Sequence, residues 1–502
     1  MSDVINILQL GTDDWNQRYH LSRDLTIEYS EFYDEKVKKP YDIVFVDREL
    51  FPEEVRLLYS ATKAYALFVT EEVCLNNEMT EYFICRKGRR IARENIQSFL
   101  QQEARNFFPG QYGEKFNHKN LAIAQGFSGD VHWNGNYSVI VQGEYGTDFN
   151  QILYWRNNIP IAKGQALELW LEYKKDPTVE IMLSVIHFAS GSLSEVKQKW
   201  LFTEQQLQDV VIIDNQAGYG PIFVSILAKG TGKLEVAALH DRYSRRGYGA
   251  FFPGGERYVT SNREEVFCYF DPGDLKPPLN VYFSGYKTRQ GFEGYNLMRK
   301  MGSPFLLIAE PRLEGGCFYM GDEEYEKLIP GIITKYMKEL NFTSSEVVMA
   351  GLSMGTFGAM YYGCDILPHA LLLGKPLASI GDVAVNERIN RPGGFATSLD
   401  VLNYISDGTN DKSVTDLNEK FWNKFDKSDW SHSKFVVSYM IEDDYDSEAY
   451  NTLISHLHSE GVQLYGKGIH GRHNDDTSAI VSWFSSQFRK ILVEDFGRRF
   501  DR

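Results

Sequence analysis

The spacing of hydrophobic residues changes along the chain, and the first pattern predicts a small parallel α/β domain. Residues 4–10, 41–47 and 64–69 are continuous apolar runs separated by helix-like stretches. Unbroken apolar strands are typical of parallel sheets, because helices cover both faces of such a sheet. We therefore expect a Rossmann-like domain over residues 1–117.

Between residues 118 and 250 the pattern changes to short segments in which apolar and polar residues alternate between glycine-rich turns. Examples are residues 137–141, 166–172, 179–183 and 222–226. This period of two predicts a central β-sandwich over residues 118–250, of the kind found in carbohydrate-binding modules. The glycine- and arginine-rich stretch 242–256 is expected to link it to the next domain.

Four aromatic residues in this second part have two possible interpretations. Trp133, Tyr154, Trp155 and Trp170 could stack on sugar rings, or they could fill the interior of the sandwich. Aromatic side chains bury a large apolar area, so the sequence favours the interior and leaves sugar binding as the alternative.

From residue 251 onward the sequence predicts an α/β-hydrolase-like catalytic domain, residues 251–502. Its main signal is a Gly-x-Ser-x-Gly motif at residues 351–355, which follows an apolar strand-like run and precedes a helix-like run of small residues. A serine at such a tight strand-to-helix turn has a strained backbone, so its neighbours must be small for strand and helix to approach. We predict Ser353 as the nucleophile.

Two neighbouring carboxylates are candidates for the acid of a catalytic triad. Residues 434–440 form an apolar strand, and Glu442 and Asp443 follow it. In α/β-hydrolases the triad has the chain order serine, acid, histidine, which this position satisfies. Glu442 has the longer reach and Asp443 lies where hydrolase loops commonly place the carboxylate, so the sequence leaves both open.

The histidine is expected in the loop after the next strand. Residues 462–465 form that strand, and His470 and His473 precede a short amphipathic helix over 477–488. His473 is the predicted general base because it lies closest to the closing helix, and His470 is the alternative. The chosen carboxylate should accept a hydrogen bond from the imidazole and stabilise the imidazolium while Ser353 attacks.

The predicted oxyanion hole uses backbone amides. Met354 follows the nucleophile at the start of a helix, and its amide is the first expected donor. Residues 279–283 form an earlier strand, so the amide of Gly285 or Tyr286 in the following loop is the expected second donor. Alternatively, Gly285 serves only the geometry of the turn and does not donate to the oxyanion.

Composition excludes several classes of function. Asp and Glu outnumber Lys and Arg 68 to 53, which gives a net charge of −15, so a nucleic acid or an anionic membrane is not an expected partner. The chain contains neither a signal peptide pattern nor an apolar run of transmembrane length, so we expect a cytosolic protein.

The five cysteines of the chain lack metal-site spacing, which predicts reduced thiols and no metal site. No nucleotide or coenzyme A fingerprint is present, so no bound cofactor is predicted and the donor of an acyl group to Ser353 is unknown.

The chain resembles the second of the accessory secretory proteins of the streptococcal and staphylococcal accessory Sec system. The resemblance spans the full length and rests on the elbow at residues 350–361, the acid loop at 441–446 and the histidine loop at 470–474. It implies a cytoplasmic component, associated with the membrane through the export complex. The implied partners are the other accessory secretory proteins, a SecA-type ATPase and a glycosylated serine-rich repeat adhesin.

The resemblance also implies an enzyme that O-acetylates N-acetylglucosamine on the adhesin before export. By resemblance, Ser353, an acid at Glu442 or Asp443, and His473 are its triad. The same residues would serve a carbohydrate esterase, which differs in passing the acyl group to water. A non-catalytic scaffold or chaperone is a third hypothesis, because the two additional domains are not needed for the chemistry.

Overall fold

Three β-sheets follow one another along the chain in the computed structural model, which describes residues 4–34 and 39–500. The first sheet has five strands, the second ten and the third eight. The mixed α/β organisation expected from the sequence is confirmed.

The N-terminal sheet is parallel throughout and has the strand order β2-β1-β3-β4-β5. Its strands are β1 Ile5–Leu10, β2 Leu25–Ser30, β3 Ile43–Val46, β4 Leu67–Thr70 and β5 Arg89–Ile91. Its helices are α1 Trp15–Arg18, α2 Pro52–Ala61, α3 Asn77–Cys85 and α4 Ile96–Ser98. Successive residues of one strand enter two different hydrophobic clusters: Ile43 and Phe45 lie in one, and Val44 and Val46 in the other. Both faces are therefore buried, which explains the continuous apolar runs.

The central sheet is antiparallel in every strand pair. Its strands are β6 Gly113–Asn117, β7 Leu121–Ile123, β8 Asp130–Asn134, β9 Ser138–Trp155, β10 Ile159–Ile161, β11 Ala166–Lys175, β12 Val179–Phe188, β13 Val196–Thr203, β14 Val211–Asp214 and β15 Gly220–Tyr243. The long strand β15 pairs with β12 along its first part and with β11 and β6 along its last part, so all ten strands form one connected sheet. Because β6 belongs to it, the boundary predicted after residue 117 lies five residues too late.

Two of the four aromatic residues considered for sugar stacking are buried. Trp155 and Trp170 are each 1% exposed, and Trp155 lies in the hydrophobic cluster of the central sheet. The guanidinium groups of Arg257 and Arg263 lie 4.3 and 4.0 Å from the centre of the Trp170 ring. Trp133 is exposed and available to solvent. Trp155 and Trp170 therefore cannot stack on a sugar, and their role is structural.

The C-terminal sheet has the strand order β16-β17-β19-β18-β20-β21-β22-β23, with antiparallel pairing at β16 and β17 and parallel pairing elsewhere. Its strands are β16 Glu256–Val259, β17 Glu265–Asp271, β18 Leu279–Phe283, β19 Phe305–Ala309, β20 Val347–Leu352, β21 Ala370–Gly374, β22 Lys434–Met440 and β23 Gln463–Ile469. Its helices are α5 Tyr295–Met301, α6 Glu323–Leu340, α7 Met354–Ile366, α8 Ile380–Ile389, α9 Thr397–Ser406, α10 Asp411–Phe425, α11 Ala449–His456 and α12 Thr477–Glu494. Hydrophobic clusters cover both of its faces.

The stretch predicted as a linker is packed against all three parts of the chain. Arg242, the first residue of that stretch, forms a buried ion pair with Glu265 of β17. Arg245 is 1% exposed and donates hydrogen bonds to the carbonyl oxygens of Asn106, Phe108, Gly110 and Phe251 at 2.8–3.0 Å. These carbonyls lie in the segments that precede β6 and β16, so one guanidinium joins the three sheets through their connections.

We expect an Arg245→Ala substitution to lower the free energy of unfolding by about 3 kcal/mol or more, because each buried carbonyl left without a donor costs about 1–3 kcal/mol. Urea unfolding followed by tryptophan fluorescence measures it. Arg289→Ala is the matched control, since Arg289 is largely exposed and pairs with Glu114 on the surface. Its effect should stay within about 0.5–1 kcal/mol. Equal effects of the two substitutions would contradict this account of Arg245.

Candidate active site

Ser353 occupies a strained turn between β20 and α7. Its backbone angles are φ 53° and ψ −123°. A Cβ atom at Gly351 would lie 2.3 Å from the carbonyl carbon of Gly355, and one at Gly355 would lie 2.2 Å from the carbonyl oxygen of Phe283. Both glycines are therefore required for β20, α7 and β18 to approach each other, as the motif predicts.

His473 connects Ser353 to a carboxylate. Its Nε2 lies 2.8 Å from Oγ of Ser353, and its Nδ1 lies 2.8 Å from Oδ2 of Asp443. His473 is 1% exposed. A carboxylate at Nδ1 favours the tautomer that carries its proton there, which leaves Nε2 able to accept the proton of the serine hydroxyl. The arrangement can activate Ser353 as a nucleophile.

The two alternatives left open by the sequence form a separate pair. Oε1 of Glu442 lies 3.0 Å from Nδ1 of His470, and Oε2 accepts a hydrogen bond from the amide of Gly471 at 2.6 Å. Both side chains are exposed. The structure thus brings Asp443, and not Glu442, to the histidine that contacts Ser353.

Two further residues of the acid loop hold His473 in place. Oδ1 of Asp444 accepts a hydrogen bond from the amide of His473 at 3.0 Å, and its other oxygen pairs with Arg391 at 2.8 Å. The ring of Tyr445 stacks on the imidazole with centroids 4.3 Å apart and an angle of 11°. Sequence reasoning noted this loop but assigned no role to Asp444 or Tyr445, because their contacts come from a loop 29 residues away and from Arg391, which follows α8.

Three aromatic rings form a row from the predicted oxyanion loop to the histidine. Phe395 lies edge-on to Tyr286 with centroids 5.2 Å apart, and it stacks on Tyr445 with centroids 5.3 Å apart. Tyr445 in turn stacks on His473. Phe395 precedes α9 and carried no recognisable signal in the sequence. We call these three residues the aromatic row.

The three predicted oxyanion donors differ in whether their amides are free. Met354 is the first residue of α7, so its amide has no carbonyl partner within the helix. The amide of Gly285 donates a 2.8 Å hydrogen bond to Glu293. Residues 4–34 and 39–500 contain no acceptor for the amide of Tyr286. Of the two second donors considered, Tyr286 is therefore the one whose amide is unoccupied, and sequence reasoning missed Glu293.

No metal site is evident in the part of the chain that the structure describes. It contains no group of three or more His, Cys, Asp or Glu side chains able to hold a metal ion. All five cysteines are free thiols. No helix among the described residues is long and apolar enough to cross a bilayer.

A sequence-family model described as the accessory Sec system GspB-transporter matches residues 5–498. The chain belongs to this family. The resemblance identified from the three loop motifs is confirmed.

Two curated relatives and one solved structure are similar to the chain over almost its full length. The accessory Sec system proteins of Streptococcus gordonii and Staphylococcus aureus (strain NCTC 8325) are 35% and 36% identical to it, over 99% of this chain and 100% and 98% of the relatives. A chain of the solved Glycosylation Associate Protein (Gap123) complex from Streptococcus agalactiae aligns with a TM-score of 0.87 at 32% identity, covering 99% of this chain and 100% of that one.

In this member of the GspB-transporter family the acid loop ends with a second buried carboxylate, Asp446. Oδ2 of Asp446 accepts hydrogen bonds from the amides of Ala378 and Ser379 at 2.9 and 3.0 Å. Burial nevertheless raises the pKa of Asp446 from 3.8 to about 6, and the nearby Asp443 adds to this shift. The folded state thus retains a proton on Asp446 at pH values where the unfolded state has lost it.

We expect Asp443→Asn to slow labelling of Ser353 by a fluorophosphonate about 10⁴-fold, because an amide at Nδ1 stabilises the wrong imidazole tautomer. Glu442→Gln is the matched control and should change the rate by less than a few fold. The labelling rates of the purified full-length variants measure this. A larger loss in Glu442→Gln would mean that Glu442 supports the nucleophile.

The raised pKa of Asp446 predicts a pH-dependent effect of Asp446→Asn. A pKa of about 6 in the folded state and 3.8 in the unfolded state makes the wild-type protein lose stability as the pH rises from about 4 to about 6. The variant lacks this loss, so its free energy of unfolding relative to wild type should increase by up to about 3 kcal/mol between pH 4 and pH 7. Urea unfolding at several pH values measures it, and a constant difference would contradict it.

Proposed function

We propose that this chain is a serine-nucleophile O-acetyltransferase of the accessory Sec system, which O-acetylates N-acetylglucosamine on a serine-rich repeat glycoprotein adhesin and supports its export. The observation that carries the proposal is the chain of contacts from Ser353 through His473 to Asp443 in a member of this family. The proposed site of action is the cytoplasm, at the export complex.

An α/β-hydrolase-like assignment of the C-terminal part supports the chemistry. A mostly parallel sheet carries the strained serine after β20, and Asp443 and His473 follow in the loops after β22 and β23. This is the chain order serine, acid, histidine of that fold. The three side chains thus meet at the carboxyl edge of the parallel strands, where such sheets place their sites.

In the first proposed step, Oγ of Ser353 attacks the carbonyl carbon of an acetyl ester or thioester donor. Nε2 of His473 takes the hydroxyl proton, and Asp443 stabilises the resulting imidazolium. The amides of Met354 and Tyr286 are the proposed donors to the oxyanion. When the tetrahedral intermediate collapses, the donor's leaving group receives the proton from His473 and departs, and the acetyl group remains as an ester on Ser353.

In the second step, a sugar hydroxyl attacks the acetyl carbon of the Ser353 ester. His473 removes the proton from this hydroxyl and returns it to Oγ of Ser353 when the ester bond to the enzyme breaks. A hydrolase would admit water at the same point, so the two activities differ in the second nucleophile. The aromatic row favours transfer, because its rings cover one side of His473 and reduce the space for water there.

The proposed role in export rests on the family and on a relative. The Streptococcus agalactiae relative was solved as part of the Glycosylation Associate Protein (Gap123) complex, and it aligns with the full length of this chain. We propose that this chain likewise assembles with the other accessory secretory proteins, and that a SecA-type ATPase and the glycosylated adhesin are its further partners. The central and N-terminal sheets, which contribute none of the three contact residues, provide surface for such partners.

Ser353→Ala should remove acetyl-sized mass increments from the adhesin glycan, because no other group in the contact chain can carry the acyl ester. The measurement is the mass of the glycosylated adhesin from cells that express the variant, with export scored in the same strains. Ser194→Ala, an exposed serine of the central part, is the control and should leave the glycan mass unchanged.

Loss of the increments with continued export would separate acetylation from transport. An unchanged glycan mass in Ser353→Ala would contradict the proposed acetyl transfer and would leave the scaffold hypothesis as the explanation for the fold.

A further inference from the structure

A cavity of about 530 Å³ lies between the central sheet and the C-terminal part, outside the contact chain of Ser353. On the central side it is lined by the turn between β8 and β9 and by parts of β11 and β15. On the C-terminal side it is lined by the end of α9, the loop after β19 and the turn before β17. Its volume is within the range of about 300–1,000 Å³ typical of small-ligand sites.

The lining combines amides, phenol rings and balanced charges. Its five carboxylates face four cationic side chains, so the cavity has little net charge. Side-chain amides both donate and accept hydrogen bonds, as sugar hydroxyls do. The amides are Asn117, Asn134, Asn136, Asn262 and Asn403, and the phenol rings are Tyr137, Tyr173 and Tyr404.

Two opposite charges of the wall, Arg312 and Glu264, are already paired with each other. Oε1 of Glu264 accepts hydrogen bonds from Nη1 of Arg312 at 2.7 Å and from the hydroxyl of Tyr404 at 2.8 Å. Nε of Arg312 donates to Glu310 at 2.6 Å. Arg312 is 3% exposed, and its Nη2 has no hydrogen-bond partner among the described residues. Two carboxylates thus neutralise Arg312, and the side chain keeps one buried donor unused.

Direct contacts between the two sides hold the cavity open without a ligand. The amide of Asn136 donates to Oδ1 of Asp400 at 2.8 Å. Nδ2 of Asn403 donates to Oδ1 of Asn134 at 3.2 Å. The rings of Tyr137 and Tyr404 meet edge to face, with centroids 5.6 Å apart. A preformed cleft lowers the entropic cost of binding a flexible ligand.

We propose that this cavity binds a neutral carbohydrate chain. The amides match the hydroxyl and acetamido groups of sugars, the half-buried rings of Tyr137 and Tyr404 provide apolar surface, and the balanced charge disfavours an anionic ligand. The site is separate from the four aromatic residues that the sequence singled out for stacking in the central part, none of which lines the cavity.

The helix α9 connects this cavity to the candidate active site. At the start of the helix, Oγ1 of Thr397 lies 3.4 Å from the hydroxyl oxygen of Tyr286. Near its end, Asn403 and Tyr404 line the cavity. Seven residues of α-helix span about 10 Å. A carbohydrate chain bound in the cavity would therefore extend toward Ser353. The connection between the cavity and acetyl transfer rests on the proposed function, whereas carbohydrate binding by the cavity does not.

Isothermal titration of the full-length protein with the β-1,4-linked tetrasaccharide of N-acetylglucosamine tests the proposal. Ala237→Trp places a large ring into the cavity from β15, since Ala237 lines it. We expect this variant to bind the probe at least 10-fold more weakly than wild type. Thr231→Trp, at an exposed position of the same strand, is the matched control and should bind like wild type.

Four further measurements keep the outcome decisive. Melting curves must show that Ala237→Trp is folded, and Asn403→Ala should weaken binding without adding volume. Unchanged binding by folded Ala237→Trp, no binding by wild type, or preferential binding of an unglycosylated serine-rich peptide would overturn the proposal. Ser353→Ala should bind the tetrasaccharide like wild type, so a failure of acetyl transfer and a failure of this site are distinguishable.

Discussion

The candidate site depends on the close backbone approach of β20, α7 and β18, which leaves no room for side chains at two positions. At Gly351 and Gly355 the backbones approach so closely that a methyl group would overlap carbonyl atoms. The same approach forces Ser353 to a positive φ angle and directs its hydroxyl toward the loops after β22 and β23. Strain of this kind persists only where the surrounding structure overdetermines it, and here two buried strands and a buried helix do so.

A single loop of three residues then fixes the histidine. Asp443 contacts the imidazole Nδ1, Asp444 accepts from the backbone amide of the same residue, and Tyr445 covers the ring face. These three residues of the acid loop thus determine the position, the tautomer and the ring orientation of His473. Arg391 lies 4.0 Å from the centre of the Tyr445 ring and pairs with Asp444, so the segment between α8 and α9 takes part in the same arrangement.

The central sheet is joined to the C-terminal part by polar contacts as well as by the chain connection. Its turn at residues 134–137 contacts α9, and α9 begins beside the aromatic row. The buried guanidinium of Arg245 donates hydrogen bonds to carbonyl oxygens of the segment that precedes β6. These contacts give the cleft between the sheets a fixed shape and relate it directly to the surroundings of Ser353.

The sequence by itself determined those features that depend on local spacing. Continuous apolar runs predicted the parallel sheet, because a strand buried on both faces is apolar at every position. Alternating segments predicted the antiparallel sheet, because a strand buried on one face is apolar at every second position. The elbow was predictable because its two glycines, Gly351 and Gly355, each lie two residues from Ser353. The order of serine, acid and histidine followed from the succession of strands.

Only the tertiary structure decided which of several neighbouring groups meet. Glu442 and Asp443 are adjacent in sequence, yet Asp443 faces His473 and Glu442 faces His470. The amide of Gly285 is occupied by Glu293, eight residues away, and Trp155 and Trp170 lie in the interior. These outcomes depend on how the loops fold and pack on one another, and such contacts do not appear as a hydrophobic pattern in a single sequence.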